Sequence, residues 1–136
     1  MAYLRFFSRS LSIISVISCS GIQSELKAEA IYAMMDLVFE WDPEKERENV
    51  KEHGVYFDAA VQAFYDYNRK ERHDDDSSDD EDRWQTMGFF KKVLFVVYTE
   101  RGDNGIRIIS ARLAEPFERR IYHDDGETQG WLRVNP

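Results

Sequence analysis

Two arginines, Arg107 and Arg112, stand among isoleucines in the stretch GIRIISAR, residues 105–112. A guanidinium stays charged across the physiological range and forks onto phosphate through two parallel hydrogen bonds, so arginines clustered on a sheet suit an anionic ligand. Arginine cannot serve as a general base, because its pKa exceeds about 12. Proton transfer needs another group, and His53, directly before Gly54, is of a residue type that serves as acid or base. The same histidine also suits a plainer duty, a cation at a helix C-terminus where the dipole favours it. Any one strand arginine taken alone is explained by snorkelling past the sheet edge or by pairing with Glu100 or Glu115. A set of them is harder to explain that way.

The formal net charge of -8 argues at first against a polyanionic partner. The excess is local. Seven acids fall within the nine positions of DDDSSDDED, residues 74–82. From Arg83 to Tyr122 eight basic residues (Arg83, Lys91, Lys92, Arg101, Arg107, Arg112, Arg119 and Arg120) face four acidic ones, so the half of the chain that carries GIRIISAR is basic. The acidic run reads as a solvated loop, with a metal site as the sharper alternative. The single Cys19 forms no internal disulfide, and no Cys/His cluster has metal-ligand spacing, so neither cofactor nor metal is expected.

Several elements must position these groups. DLVFEW, residues 36–41, reads as a strand. Asp42 then offers an N-cap carboxylate, Pro43 fits the first helical position, and the helix should stop at Gly54. Asn49 and His53 lie one turn apart on it, with Arg47 and Lys51 as a neighbouring basic pair. Phe57, Ala60, Val61 and Phe64 have the spacing of one apolar helical face, so a second, buried helix follows. RWQTMGFF and VLFVVYTE, separated by KK, form a hairpin, and GDNG turns the chain into IRIISAR, giving an antiparallel meander. Pro116 starts a final helix with Phe117 and Ile121 on one face. The order predicts an α+β fold, a small antiparallel sheet with helices on one face and the other face left for a ligand. In a regular strand Arg112 shares a face with Ile106, Ile108 and Ser110, while Arg107 faces the other way. The two arginines then serve one groove only if a bulge or strand end intervenes. Tyr98, Tyr122 and Trp84 read as core aromatics, with base stacking as the alternative.

The chain divides into residues 1–34, a working domain at 35–123 and an irregular tail at 124–136. The first segment has Arg5 and Arg9, an apolar stretch from Leu11 to Ile17 and small residues up to Gly21, the order of a secretory signal. The competing reading is a disordered or mis-started extension ahead of Met34 or Met35.

Three stretches, FEWDPEKERENVKEHGVYFDAAVQAF, DRWQTMG and VLFVVYTERGDNGIRIISARLAEPFERRIY, together resemble the BrnT toxins of bacterial type II toxin–antitoxin modules. The likeness runs from Phe39 to Tyr122, with FEWD, HGV before a helix, and RIISAR as its most specific pieces. It implies a RelE-like fold and a small ribonuclease that inhibits translation and is neutralised by a BrnA-type antitoxin. Asn49, His53, Gly54, Arg83, Arg107, Arg112, Glu118 and Tyr122 fall on the family's motif positions, and Ser110 lies within the RIISAR match. Glu52, where many relatives carry a basic residue, and the dense acidic run both depart from the pattern and weaken attraction to RNA. A toxin acting on cellular RNA implies a cytoplasmic protein, which favours the mis-started extension; a genuine signal at residues 1–30 would make it an exported one.

On this resemblance the expected site has Arg83, Arg107 and Arg112 clamping phosphate and His53 moving the proton, with Tyr122 or Glu118 as substitutes. Lys51, Lys91, Lys92 and Arg101 are expected to help hold the RNA. The expected reaction is metal-independent endonucleolytic cleavage of RNA. The alternative is a RelE-like binding module that docks an antitoxin or another partner without cutting.

Overall fold

The computed structural model describes residues 4–7, 37–77 and 80–135. The signal-like stretch from Leu11 to Gly21 and the start at Met34 or Met35 lie outside them. Among the described residues, seven strands and three helices follow one another as β1 (Leu4–Phe7), β2 (Val38–Trp41), α1 (Pro43–His53), α2 (Phe57–Ala63), β3 (Lys70–His73), β4 (Arg83–Phe90), β5 (Lys92–Arg101), β6 (Gly105–Leu113), α3 (Pro116–His123) and β7 (Leu132–Arg133). The strands form one sheet in the order β1-β2-β6-β5-β4-β3-β7.

Local chemistry sets the boundaries. Asp42 caps α1 by accepting from the Glu44 amide at 2.9 Å, and Pro43 opens the helix. Gly54 closes it in the left-handed region at φ 71, a conformation that costs glycine nothing. Lys91 makes the turn between β4 and β5 at φ 63, and β5 and β6 complete the expected meander. In α3, Glu115 and Glu118 form a capping box.

Two features depart from a purely antiparallel sheet with helices on one side. β2 pairs with β6 in parallel, Val38 to Gly105 through Glu40 to Arg107, because α1, α2 and the meander carry the chain back to the same edge in the same direction. α1 and α2 cover one face, burying Phe39, Val61 and Phe64 against Val96, Tyr98 and Ile108. Gly88 permits this approach, since a Cβ there would stand 2.2 Å from the Ala63 carbonyl oxygen. The third helix goes to the opposite face, where Ile121 and Tyr122 pack with Met87, Val93, Phe95 and Trp131.

Trp131 also corrects the expectation of an irregular tail. It is 1% exposed, and β7 beyond it pairs with β3. Lys70 fastens this region, donating from Nζ to the carbonyls of Ile121 and Asp124 at 2.6 Å each and of Gly126 at 3.2 Å. A buried ammonium thus gathers one carbonyl of the last turn of α3 and two of the segment that follows it.

Candidate RNA-facing site

The register of β6 decides where its arginines point. Tyr98 pairs with Ile108, but the next residue back, Val97, pairs with Ser110. Ile109 is an extra residue, and the strand is bulged there. Side-chain alternation therefore shifts by one. Ile106 and Ile108 point to the α1–α2 side before the bulge, and Ala111 points there after it. Arg107, Ser110 and Arg112 all face the other way, opposite Thr99, Val97 and Phe95 respectively. The division of Arg107 and Arg112 between two faces, expected of a regular strand, is thereby corrected.

The same alternation extends across the sheet. Thr99 pairs with Arg83 on β4, and Arg107 pairs with Glu40 on β2, so one row reads Glu40, Arg107, Thr99, Arg83. Arg107 and Arg83 lie two strands apart, about 10 Å between Cα atoms. A second row reads Ser110, Val97, Gln85, Arg72, and a third Arg112, Phe95, Met87, Lys70. Arg83, Arg107 and Arg112 thus share one face, joined by Arg72, which the sequence reading missed.

The arginines are held, but not by the carboxylates expected. Arg107 donates from Nε to Glu40 Oε1 at 3.1 Å rather than to Glu100 or Glu115. Arg112 forks onto Glu118, both bonds 2.8 Å, and its guanidinium lies 4.1 Å from the centre of the Phe95 ring. Burial pushes the Glu118 carboxyl up, but the Arg112 bonds, the Glu115 amide and the nearby Arg72 charge outweigh it and hold the group below its ordinary range. The Glu118 bonds in turn push Arg112 up. Glu118 is thus an ionised brace that also caps α3.

The remaining candidates spread over the molecule. Asn49 reaches the bare edge of β6 beyond β2, donating to the Ala111 carbonyl at 2.7 Å and accepting from its amide at 3.0 Å. His53 is one turn further along α1, its ring 3.8 Å from Glu52. No described hydrogen bond joins it to the arginines. Tyr122 donates to Asp66, and burial with that carboxylate pushes its phenol well above the usual range. Lys51 is exposed on α1, and Lys91 and Lys92 occupy the β4–β5 turn. Arg101, at the opposite end of β5, pairs with Glu81 at 2.8 Å. Arg101, two residues beyond Thr99, lies on the arginine face one row past Arg107 and Arg83, whereas Lys51, Lys91 and Lys92 belong to none of the three rows. Tyr98 is core, 2% exposed and bonded to Glu71. Among the described residues no helix is long and apolar enough to cross a membrane.

The architecture is that of an α+β protein whose mixed sheet is packed under two helices on one side and carries a braced arginine array on the other. The chain belongs to the BrnT family: the model of "Ribonuclease toxin, BrnT, of type II toxin-antitoxin system" matches residues 41–118. Among solved structures the chain is similar to the ribonuclease toxin BrnT of Brucella abortus, with 23% identity over 55% of this chain and 92% of that one and a TM-score of 0.43. No curated protein matches it.

Proposed function

We propose that the protein is a metal-independent endoribonuclease that cuts RNA in the cytoplasm, arrests translation and is neutralised by a BrnA-type antitoxin. The observation that carries this reading is the alignment of Arg83, Arg107 and Arg112 on one sheet face, in a chain that belongs to a ribonuclease toxin family. In this scheme the ribose 2′-oxygen attacks phosphorus, the bond to the 5′-oxygen breaks, the departing oxygen takes a proton from water, and the products are a 2′,3′-cyclic phosphate and a 5′-hydroxyl. The arginines stabilise the added negative charge on the phosphoryl oxygens, and each such contact is worth on the order of 10²-fold in rate. His53 at the end of α1 takes the 2′-hydroxyl proton, a role its imidazole suits and a guanidinium does not. Glu118 could accept a proton only once its pairing with Arg112 opens, and Tyr122 is poorly suited because its proton is held too firmly.

A second reading, a docking module without cleavage, draws on a specific observation. Arg107 and Arg112 are already paired with Glu40 and Glu118, and His53 makes no described hydrogen bond to them. Purified protein free of antitoxin, incubated with RNA in EDTA, separates the two. Cyclic-phosphate ends that disappear in the Arg107→Ala variant support the nuclease; intact RNA with tight antitoxin binding supports the module.

A further inference from the structure

The acceptors around each arginine differ. Arg112 meets both oxygens of Glu118 and the Leu113 carbonyl. Arg72 donates from Nε to Gln85 Oε1 at 2.7 Å, and among the described residues its two terminal nitrogens meet no acceptor. The group is nevertheless held in place. Its guanidinium lies 4.8 Å from the centre of the Trp131 ring, and that ring packs edge-on against Phe95, 6.0 Å between centres. Phe95 is the ring beneath Arg112. Two neighbouring aromatics therefore each carry an arginine, one saturated by a carboxylate and one with its fork open.

We infer that Arg72 is a phosphate-contacting residue of the RNA face, held by Trp131 and Gln85 with its terminal guanidinium nitrogens directed to the ligand. The inference rests on the nuclease or RNA-binding reading given above. Gln85 fixes the side chain through Nε, and stacking on Trp131 restricts the guanidinium plane, so little conformational freedom is left to lose when a phosphate arrives. Position agrees with this role. Arg72 belongs to the row between Arg83–Arg107 and Arg112, so it fills the middle of the array on the β3 side. One border is acidic: Asp74, Asp75 and Asp76 line the cleft that Arg72 shares with Gln85 and Gly130. Asp75 is engaged by His73 at 2.7 Å, which reduces its pull on Arg72. Trp131 lies outside the family match at 41–118, so the tail supplies part of the platform.

The test is binding of a 2′-O-methyl oligoribonucleotide, which cannot be cleaved, across a range of salt concentrations. It compares the wild type with Arg72→Gln and Arg72→Lys, alongside RNA cleavage by each. Losing one phosphate contact should lower the slope of log affinity against log salt by about 0.7 and weaken binding at low salt roughly tenfold. Arg72→Lys should keep the slope and bind a few-fold weaker, since it keeps the charge without the fork. Wild-type protein that binds or cuts, beside an Arg72→Gln variant with unchanged slope, overturns the inference and leaves the reading intact. Should Arg72→Gln fail to fold, Arg72→Lys decides, and its equality with wild type in affinity overturns the inference. Wild-type protein that neither binds nor cuts overturns the RNA reading, and the inference with it.

Discussion

The side chain of Asn49 replaces a missing strand for Ala111: it takes that residue's amide hydrogen and donates to its carbonyl, while also donating to Val55. The amide lies on α1, the peptide it satisfies on β6, and both are buried. Helix and site strand are thereby joined at one point, next to Arg112.

Asn49→Ala should accordingly destabilise the fold by about 2–4 kcal/mol, because buried backbone groups are left without partners. Urea unfolding measures this. A loss under about 0.5 kcal/mol would mean that water reaches the β6 edge unaided.

Arg112→Gln should cost more than Glu118→Gln. Removing the guanidinium leaves a buried carboxylate with only the Glu115 amide and the more distant Arg72 charge, a defect of roughly 3–5 kcal/mol. Removing the charge of Glu118 leaves a half-exposed arginine that water can still reach. Equal losses in the two variants would contradict the bracing role assigned to the pair.

Glu118 also predicts an acid sensitivity. Its folded pKa lies below the ordinary 4.5, so its contribution is complete above the unfolded value and is lost as pH falls through the folded one. Wild-type stability should therefore drop more steeply below about pH 4.5 than that of Glu118→Gln, as followed by thermal unfolding at stepped pH.

His73 has the opposite sign. Hydrogen bonds to Asp75 and then Asp82 raise its pKa above 6.5, so the clasp it forms is complete below the unfolded value and is released as pH rises through the folded one. An NMR titration of the ring should give a midpoint above 6.5, moving down in Asp75→Asn. A wild-type midpoint at or below 6.5 would show that the clasp does not form in solution.

If the nuclease reading holds, the acidic run restrains it. Asp76, Asp80 and Glu81 share a cleft with Arg83, so replacing Asp76 and Asp80 with Asn should tighten RNA binding several-fold at low salt. The gain should fade in high salt, as the Debye length shrinks to about 3 Å at 1 M. A salt-independent gain would point to contact rather than charge.

Much of the architecture was readable because strong local rules agreed. Asp42-Pro43 at one end and Gly54 at the other delimit α1, and the apolar spacing of Phe57 to Phe64 marks α2. The meander followed from its turns. KERH, residues 70–73, carried no apolar alternation, so β3 was invisible until its neighbours supplied a register, and Arg72 was missed with it. Arg83, Arg107 and Arg112 were legible as candidates for the site, but their common orientation was not. Periodicity assumes an unbroken pleat, and nothing in IRIISAR marks Ile109 as the residue that breaks it. Trp131 was hidden for a different reason: a lone aromatic in an aperiodic tail gives no hint of what it packs against.

The bulge at Ile109 also decides which way the end of the strand faces, independently of its composition. Deleting that one residue would keep every charge in the protein. It would also keep their directions: Ile108, Ser110, Ala111 and Arg112 already pair with successive residues of β5, so Ala111 would still face Phe64 and Val96 and Arg112 would still lie beside Phe95. A strand that kept Ile109 but ran as an unbroken pleat would instead turn Arg112 to the side of Ile106 and Ile108 and bury a cation in hydrocarbon. For this surface the reading frame of the pleat is inherited information in its own right.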